Sequence, residues 1–325
     1  RQQTNSGSFT LNVTSTGSLS GDLYLGSATP LTLSGKFDLD GTAVVTTKRR
    51  GASALFTTLT LDTNNQTVNG MVSDGSFIAP LAGDQAVFSQ KNKAPYQGQY
   101  TLIMPGTTNA QAGPYGTSYG TVSVSASGAV TFAGSLADGT TVSRSSVVSK
   151  EGAWPFYLPL YKGRGSIFAW NYFASDVTNG MIMFSTNASW IKPTNSFQTA
   201  LYEGGFTNQN VMVIGSDYNP ANAPSVALAG SAGEVLLEGG NLSANITNPI
   251  SLGANDEIRV TGPVNTNRLT LRITKSTGLV SGTFTDVANP HVTLKCGGVL
   301  LQSQTNAYGY FLGTSQSGTF LLDNP

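Results

Sequence analysis

Charge is scarce in this 325-residue chain. Lys and Arg total 17, Asp and Glu total 17, charged residues make up 10% and the formal net charge is zero. An ordinary globular protein carries roughly 25% charged residues. Without a basic excess there is no field to draw phosphates, which argues against nucleic acid as a partner. No polybasic segment offers itself to anionic lipid. Cysteine occurs once, as Cys296, which excludes an intrachain disulfide. In the apolar stretch Val292-Thr-Leu-Lys-Cys296 it reads as a small buried hydrophobe rather than a reactive thiol. Histidine also occurs once, as His291. No run approaches the ~20 apolar residues of a membrane helix, so no membrane insertion is expected. No signal peptide is visible, and the opening Arg1-Gln-Gln-Thr-Asn5 reads as a processed start.

What the chain has instead is Ser, Thr, Asn, Gln and Gly, residues that suit pleated strands and tight turns better than helix interiors. Apolar residues, at 39%, suffice for a packed core. Ser8-Phe-Thr-Leu-Asn-Val-Thr14, Thr121-Val-Ser-Val-Ser125 and Leu269-Thr-Leu-Arg-Ile-Thr274 alternate apolar and polar positions, the period of a half-buried strand. Between such runs stand glycine corners: Thr16-Gly17, Asp40-Gly41, Asp74-Gly75, Ser127-Gly128, Asp138-Gly139 and Thr277-Gly278. Asp-Gly is a strong hairpin signal because such turns need a positive φ. No segment shows a capped helical stripe. The turn spacing predicts an all-β protein of antiparallel meander sheets, forming two barrel-like or sandwich units.

An internal repeat is legible. Thr10-Leu-Asn-Val-Thr-Ser-Thr-Gly-Ser-Leu-Ser-Gly-Asp-Leu23 recurs, with one insertion, as Thr270-Leu-Arg-Ile-Thr-Lys-Ser-Thr-Gly-Leu-Val-Ser-Gly-Thr-Phe284. A looser copy runs from Val122 to Leu136. Gly21, Gly134 and Gly282 hold matching places in the second strand, where a bulge or a close neighbour is expected. The polar, proline-containing stretch Ser89-Gln-Lys-Asn-Lys-Ala-Pro95 suggests a boundary, dividing the chain into an N-terminal β unit over 1–95 and a larger one over 96–325.

Gly98-Gln-Tyr-Thr-Leu102, Leu136-Ala-Asp-Gly-Thr140, Gly152-Ala-Trp-Pro-Phe-Tyr157 and Gly309-Tyr-Phe-Leu-Gly-Thr-Ser-Gln-Ser-Gly318 resemble β-rich modules near the ends of large secreted proteins of verrucomicrobial and planctomycete-type bacteria. The resemblance spans most of the chain but rests on turn and core residues. It implies an extracellular or cell-surface bacterial protein and carries over no catalytic set.

Few constellations could carry chemistry. A Ser-His-Asp or Cys-His arrangement would have to use His291. Cys296 lies five residues on, so a regular strand puts the two side chains on opposite faces. With imidazole and thiolate nearly absent, no transition-metal site is expected, and no Asp-rich loop suggests calcium. The carboxylate pairs Asp38/Asp40, Asp256/Glu257 and Glu234/Glu238 could in principle serve glycoside hydrolysis, but each reads more simply as turn or strand-end chemistry. The densest unusual stretch is Trp154-Pro-Phe-Tyr-Leu-Pro-Leu-Tyr161 with Phe168-Ala-Trp-Asn-Tyr-Phe173. Its aromatics read either as core or as a stacking platform or contact hot spot, with Trp154, Tyr157, Tyr161, Trp170 and Tyr172 as the binding candidates. The sequons at Asn12, Asn65, Asn187, Asn241 and Asn245 matter only in a glycosylating host.

The resulting expectation is a non-enzymatic structural or adhesive protein, built from repeats and acting in a surface or fibrous assembly. It needs no cofactor, and its partners are copies of itself, other surface proteins or a polysaccharide. A net charge near zero removes self-repulsion and favours association. The segment Gln2-Gln-Thr-Asn-Ser-Gly-Ser8 is a candidate for pairing with a neighbour's sheet edge. The alternative is a carbohydrate-binding module using the aromatic stretch, with a glycosidase or a lipocalin-like ligand-holding barrel behind it.

Overall fold

The computed structural model describes residues 3–109, 111–176, 180–194, 201–222, 232–252, 258–262 and 265–323. Among them the chain is almost entirely antiparallel strand, relieved only by single 3-10 turns at Gln3–Asn5, Tyr161–Gly163 and Gln302–Gln304. The alternating runs become ladders because each buries one side of the pleat and leaves Ser and Thr on the other. In β4 (Thr42–Arg49), for example, Ala43, Val45 and Thr47 are buried and their neighbours are not.

The first unit has two small sheets. One is β1 (Gly7–Val13), β2 (Ser18–Leu25) and β3 (Leu31–Lys36); the other is β4, β5 (Ala52–Asp62), β6 (Thr67–Ser73) and β7 (Ile78–Asp84). They close over one core that includes Leu19, Leu23, Leu33, Phe37, Val45, Leu55, Leu59 and Val72. The anticipated boundary falls in the stretch between Asp84 and Gly98, where no strand is formed.

The region read from sequence as one larger unit, 96–325, carries two eight-stranded sheets with separate main cores. The first comprises β8 (Gly98–Met104), β9 (Ser118–Val124), β10 (Ala129–Ser135), β11 (Thr141–Val147), β12 (Ala153–Leu160), β13 (Gly165–Asp176), β14 (Gly180–Lys192) and β15 (Phe206–Asp217), in the order β11-β10-β9-β8-β15-β14-β13-β12. The second comprises β16 (Ala232–Gly239), β17 (Ile246–Leu252), β18 (Ile258–Val260), β19 (Thr270–Thr274), β20 (Leu279–Asp286), β21 (Asn289–Leu301), β22 (Asn306–Leu312) and β23 (Ser317–Asp323), in the order β18-β17-β16-β23-β22-β21-β20-β19. Each is a meander whose last strand pairs with its first, curling the sheet toward a barrel.

The three units touch through specific contacts. The two eight-stranded sheets share a small apolar junction of Ile103, Val299 and Leu301, bridged by the Ser135–Tyr310 hydroxyl contact at 2.6 Å. The first unit docks through its β2–β3 hairpin, where the Gly26 N–H donates to the Tyr157 hydroxyl at 2.9 Å. Arg144 also stacks on the Tyr24 ring at 4.2 Å.

Gly21 and Gly282 sit in unbroken ladders, opposite Leu11 and Leu271. A Cβ at either would meet the carbonyl oxygen of Thr10 or Thr270 at 2.0 and 2.2 Å. Close backbone approach, not a bulge, is what these glycines permit.

Candidate functional site

β12 is apolar on both faces, and the structure uses both. Trp154, Phe156, Leu158 and Leu160 enter the core of the first eight-stranded sheet, with the Trp154 and Phe156 rings 5.0 Å apart in edge contact. Tyr157 points the other way and is covered by the first unit. At the strand's end the backbone turns through a positive φ of 53° at Tyr161, which aims that ring into the interior.

There it joins a polar cluster inside an aromatic core. The Tyr161 hydroxyl donates to Asp138 Oδ2 at 2.6 Å, and Trp190 Nε1–H donates to the Tyr161 oxygen at 3.1 Å. Lys192 Nζ lies 3.0 Å from the same Asp138 Oδ2 and 4.4 Å from the Tyr161 ring centroid. Both members of the ion pair have 0% side-chain exposure. Asp138 is held by the hairpin joining β10 to β11, where Gly139 takes a φ of 90° and the Thr140 N–H donates to Asp138 Oδ1 at 3.0 Å. Burial and the Asp138 charge push the Tyr161 hydroxyl far above the ordinary tyrosine range, so it remains a donor.

The five aromatic candidates therefore divide. Trp154, Tyr157 and Tyr161 are 1%, 2% and 0% exposed, so no sugar ring can stack on them. Trp170 and Tyr172 lie on the outer face of β13, where Tyr172 is exposed and pairs with Phe184 at 6.2 Å. The five do not share a surface. Trp154 and Tyr161 are taken into the core of their own sheet and Tyr157 is covered by the first unit, a division the sequence did not disclose.

The first eight-stranded sheet is left open between its outer strands β11 and β12. They meet near their connecting turn, where Ser146 Oγ donates to the Pro155 carbonyl at 3.3 Å. Farther along they part around a cleft of about 430 Å³ lined by Thr140–Arg144 of one edge, Leu158–Gly163 of the other and Ser27 and Ala28 of the first unit. The Pro155 carbonyl faces β11, so by strand periodicity the nitrogen of Pro159 does too. Neither proline can donate across the gap, which keeps the seam from zipping shut.

A second feature lies on the outer face of the β4–β7 sheet. Two adjacent cross-strand rows run Val44–Thr58–Met71–Pro80 and Thr46–Phe56–Ser73–Ile78. Val44, Phe56, Met71 and Ile78 are 72%, 53%, 55% and 67% exposed and adjoin one another diagonally across the two rows, among Thr46, Thr58, Ser73 and Pro80. The signal in the sequence was Phe56, an apolar residue out of phase with the inward series Leu55, Thr57 and Leu59.

The remaining candidates are dispersed. His291 is exposed on β21 while Cys296 is buried in the second eight-stranded sheet's core, where burial pushes its thiol up to about 12. Asp40 binds the Thr42 hydroxyl and N–H and so builds its turn. Glu234 and Glu238 lie within β16, in its ladder with β23; Asp256 and Glu257 lie outside the described residues. Among the described residues no group of three His, Cys, Asp or Glu side chains is placed to hold a metal ion. Gln3, part of the segment considered for pairing with a neighbour, bonds within its own chain to Gly163 and Ser166.

Neither a family model nor a curated protein matches the chain. Fourteen chains of solved structures match. One is a mutant of the vaccine antigen Transferrin Binding Protein B from Haemophilus parasuis, at 8% identity and a TM-score of 0.19, covering 97% of this chain and 85% of that one. At that level the likeness says nothing about the site.

Proposed function

We propose that this chain is a non-enzymatic structural or adhesive β protein of an extracellular or cell-surface assembly, and that it associates with a second copy of itself through the outer face of the β4–β7 sheet. The observation that carries this reading is the pair of apolar rows on that face. A solvent-facing apolar patch of several adjacent side chains costs solubility, and such patches mark contact surfaces.

The charge around the patch favours a second copy. At one end of the sheet the β4–β5 turn presents Lys48 and Arg50, while Arg49 is occupied by Asp74 at 2.6 Å. At the other end stand the exposed Asp38 and Asp40 and the Asp62 turn, with Lys36 beside them and Asp84 occupied by Lys150. A copy turned end for end about a two-fold axis lays its basic end on the first copy's acidic end, with the apolar rows face to face. The chain's zero net charge opposes none of this.

Light scattering across a concentration series tests the proposal. The wild-type mass should rise with concentration. A Phe56→Ser, Met71→Ser double variant, altered only at outward positions, should stay monomeric and lose at least tenfold in self-affinity. A wild type monomeric throughout, or a double variant that associates equally well, overturns it.

A further inference from the structure

We propose that Lys192 and Asp138 become joined by an amide bond between Nζ and Cγ, a covalent strap across one end of the first eight-stranded sheet. The inference stands apart from the self-association reading and rests on the buried cluster alone.

Several features converge there. The amine nitrogen sits 3.0 Å from Asp138 Oδ2, with the carboxyl carbon one bond beyond. Neither side chain is exposed, so an ion pair at this place carries the desolvation cost of two charges, and the amide removes both. The exclusion of water also disfavours hydrolysis of the product. The carboxyl group is polarised at both oxygens: the Thr140 N–H donates to Oδ1 and the Tyr161 hydroxyl to Oδ2. Thr140 thus provides the donor for the charge that builds on Oδ1 during addition, while Tyr161 supports the departing Oδ2. Trp190, bonded to the Tyr161 oxygen, is a positioning residue.

The step balances without any further reactant. Starting from the ammonium and the carboxylate, one proton passes along the Nζ···Oδ2 hydrogen bond, leaving a neutral amine facing a neutral acid. The nitrogen lone pair adds to Cγ, forming the Nζ–Cγ bond. Collapse breaks the Cγ–Oδ2 bond, and Oδ2 leaves as water with two of the three protons that began on Nζ. The third stays on the amide nitrogen. Nothing is oxidised or reduced.

The strap's position is informative. The segment between Asp138 and Lys192 contains β11 and β12, the two strands that border the open seam. Nothing joins those strands along most of their length, and the strap ties their surroundings across the barrel end.

Intact mass spectrometry of the purified, denatured full chain decides the matter. The expected mass is one water below that of the sequence. Trypsin should then yield a single branched species uniting the peptide 94–144, which holds Asp138, with 165–259, which holds Lys192. Cleavage after Lys192 is no guide, because Pro193 blocks it in any case. Lys192→Arg should restore the full mass. Tyr161→Phe, which keeps the ring, should leave a mixture in which the lighter form accumulates at least tenfold more slowly after refolding. A folded wild type of full mass with the two peptides separate overturns the proposal, whatever the variants do. So does a water loss that maps to a linear peptide.

Discussion

The two eight-stranded sheets share one plan and differ in filling. In both, the last strand pairs with the first, β15 with β8 and β23 with β16, so the gap opens in mid-sequence, between β11 and β12 in one and β18 and β19 in the other. The first encloses Phe132, Trp154, Phe156, Tyr161 and Trp190 around a buried Lys–Asp pair. The second packs Val235, Leu237, Phe284, Phe311, Phe320 and Leu322, and among its described residues no charged side chain is buried. Alternation and turn chemistry evidently suffice for the plan. The ion pair in one interior is therefore an addition to the fold, and replacing such pairs by apolar groups is often neutral or stabilising elsewhere.

The chain carries its own reporters for this contrast. All three tryptophans, Trp154, Trp170 and Trp190, lie in the first eight-stranded sheet, and the single cysteine lies in the second. The largest effect is expected from Asp138→Ala, which removes the carboxylate beside Lys192 and should cost the first sheet about 3–5 kcal/mol as a broken buried ion pair, and more where the strap has formed. Tryptophan emission should show an earlier urea midpoint, while Cys296 labelling by a thiol reagent keeps its own. Should both transitions move together, the sheets unfold as one body and the contrast between them is only compositional.

Leu237→Ala, in the second core, should cost about 3 kcal/mol by cavity formation. Here the order of effects reverses: Cys296 becomes reactive at lower urea and tryptophan emission is unmoved. In the native protein at pH 8 that thiol should label slowly, since it is both buried and held protonated.

The smallest effect separates the first unit from both. Its turn carboxylates lie below their ordinary value of 3.8: Asp40 through the Thr42 hydroxyl, Asp62 through the Asn65 N–H, and Asp74 through the Ser76 hydroxyl and then Arg49. Burial alone would raise Asp84, but its bonds to Lys150 and Ser149 outweigh it. A carboxylate depressed on folding contributes stability that is whole above the unfolded value and fades as pH falls through the folded one. Amide exchange between pH 5 and pH 2 should therefore loosen residues 7–84 before the second eight-stranded sheet. Equal loosening would place the acid sensitivity elsewhere.

Most of the architecture was legible because its causes are local. A corner such as Asp138-Gly139 announces its conformation in two letters, and Ser8–Thr14 announces its buried face by alternation. What stayed hidden depends on meetings between distant parts. Asp138 reads as an ordinary turn residue until Lys192, 54 positions away, arrives beside it. Tyr157 looks available until Gly26 covers it. The division of 96–325 into two sheets was illegible for a similar reason: β15 closes onto β8 and β23 onto β16, pairings that hairpin spacing cannot foretell. Only the apolar face had a sequence signal that went unread, in the phase break at Phe56.

The pairing of β8 with β15 has a mechanical consequence. Gly98 and Asp217 lie at the same end of neighbouring antiparallel strands, so tension applied through the flanking chain peels that ladder open one rung at a time. Unspooling would proceed inward from both sides until it reached Asp138 on one and Lys192 on the other. With those two residues covalently tied, the length stored between them could never be paid out, and the molecule would yield under load and then stop short.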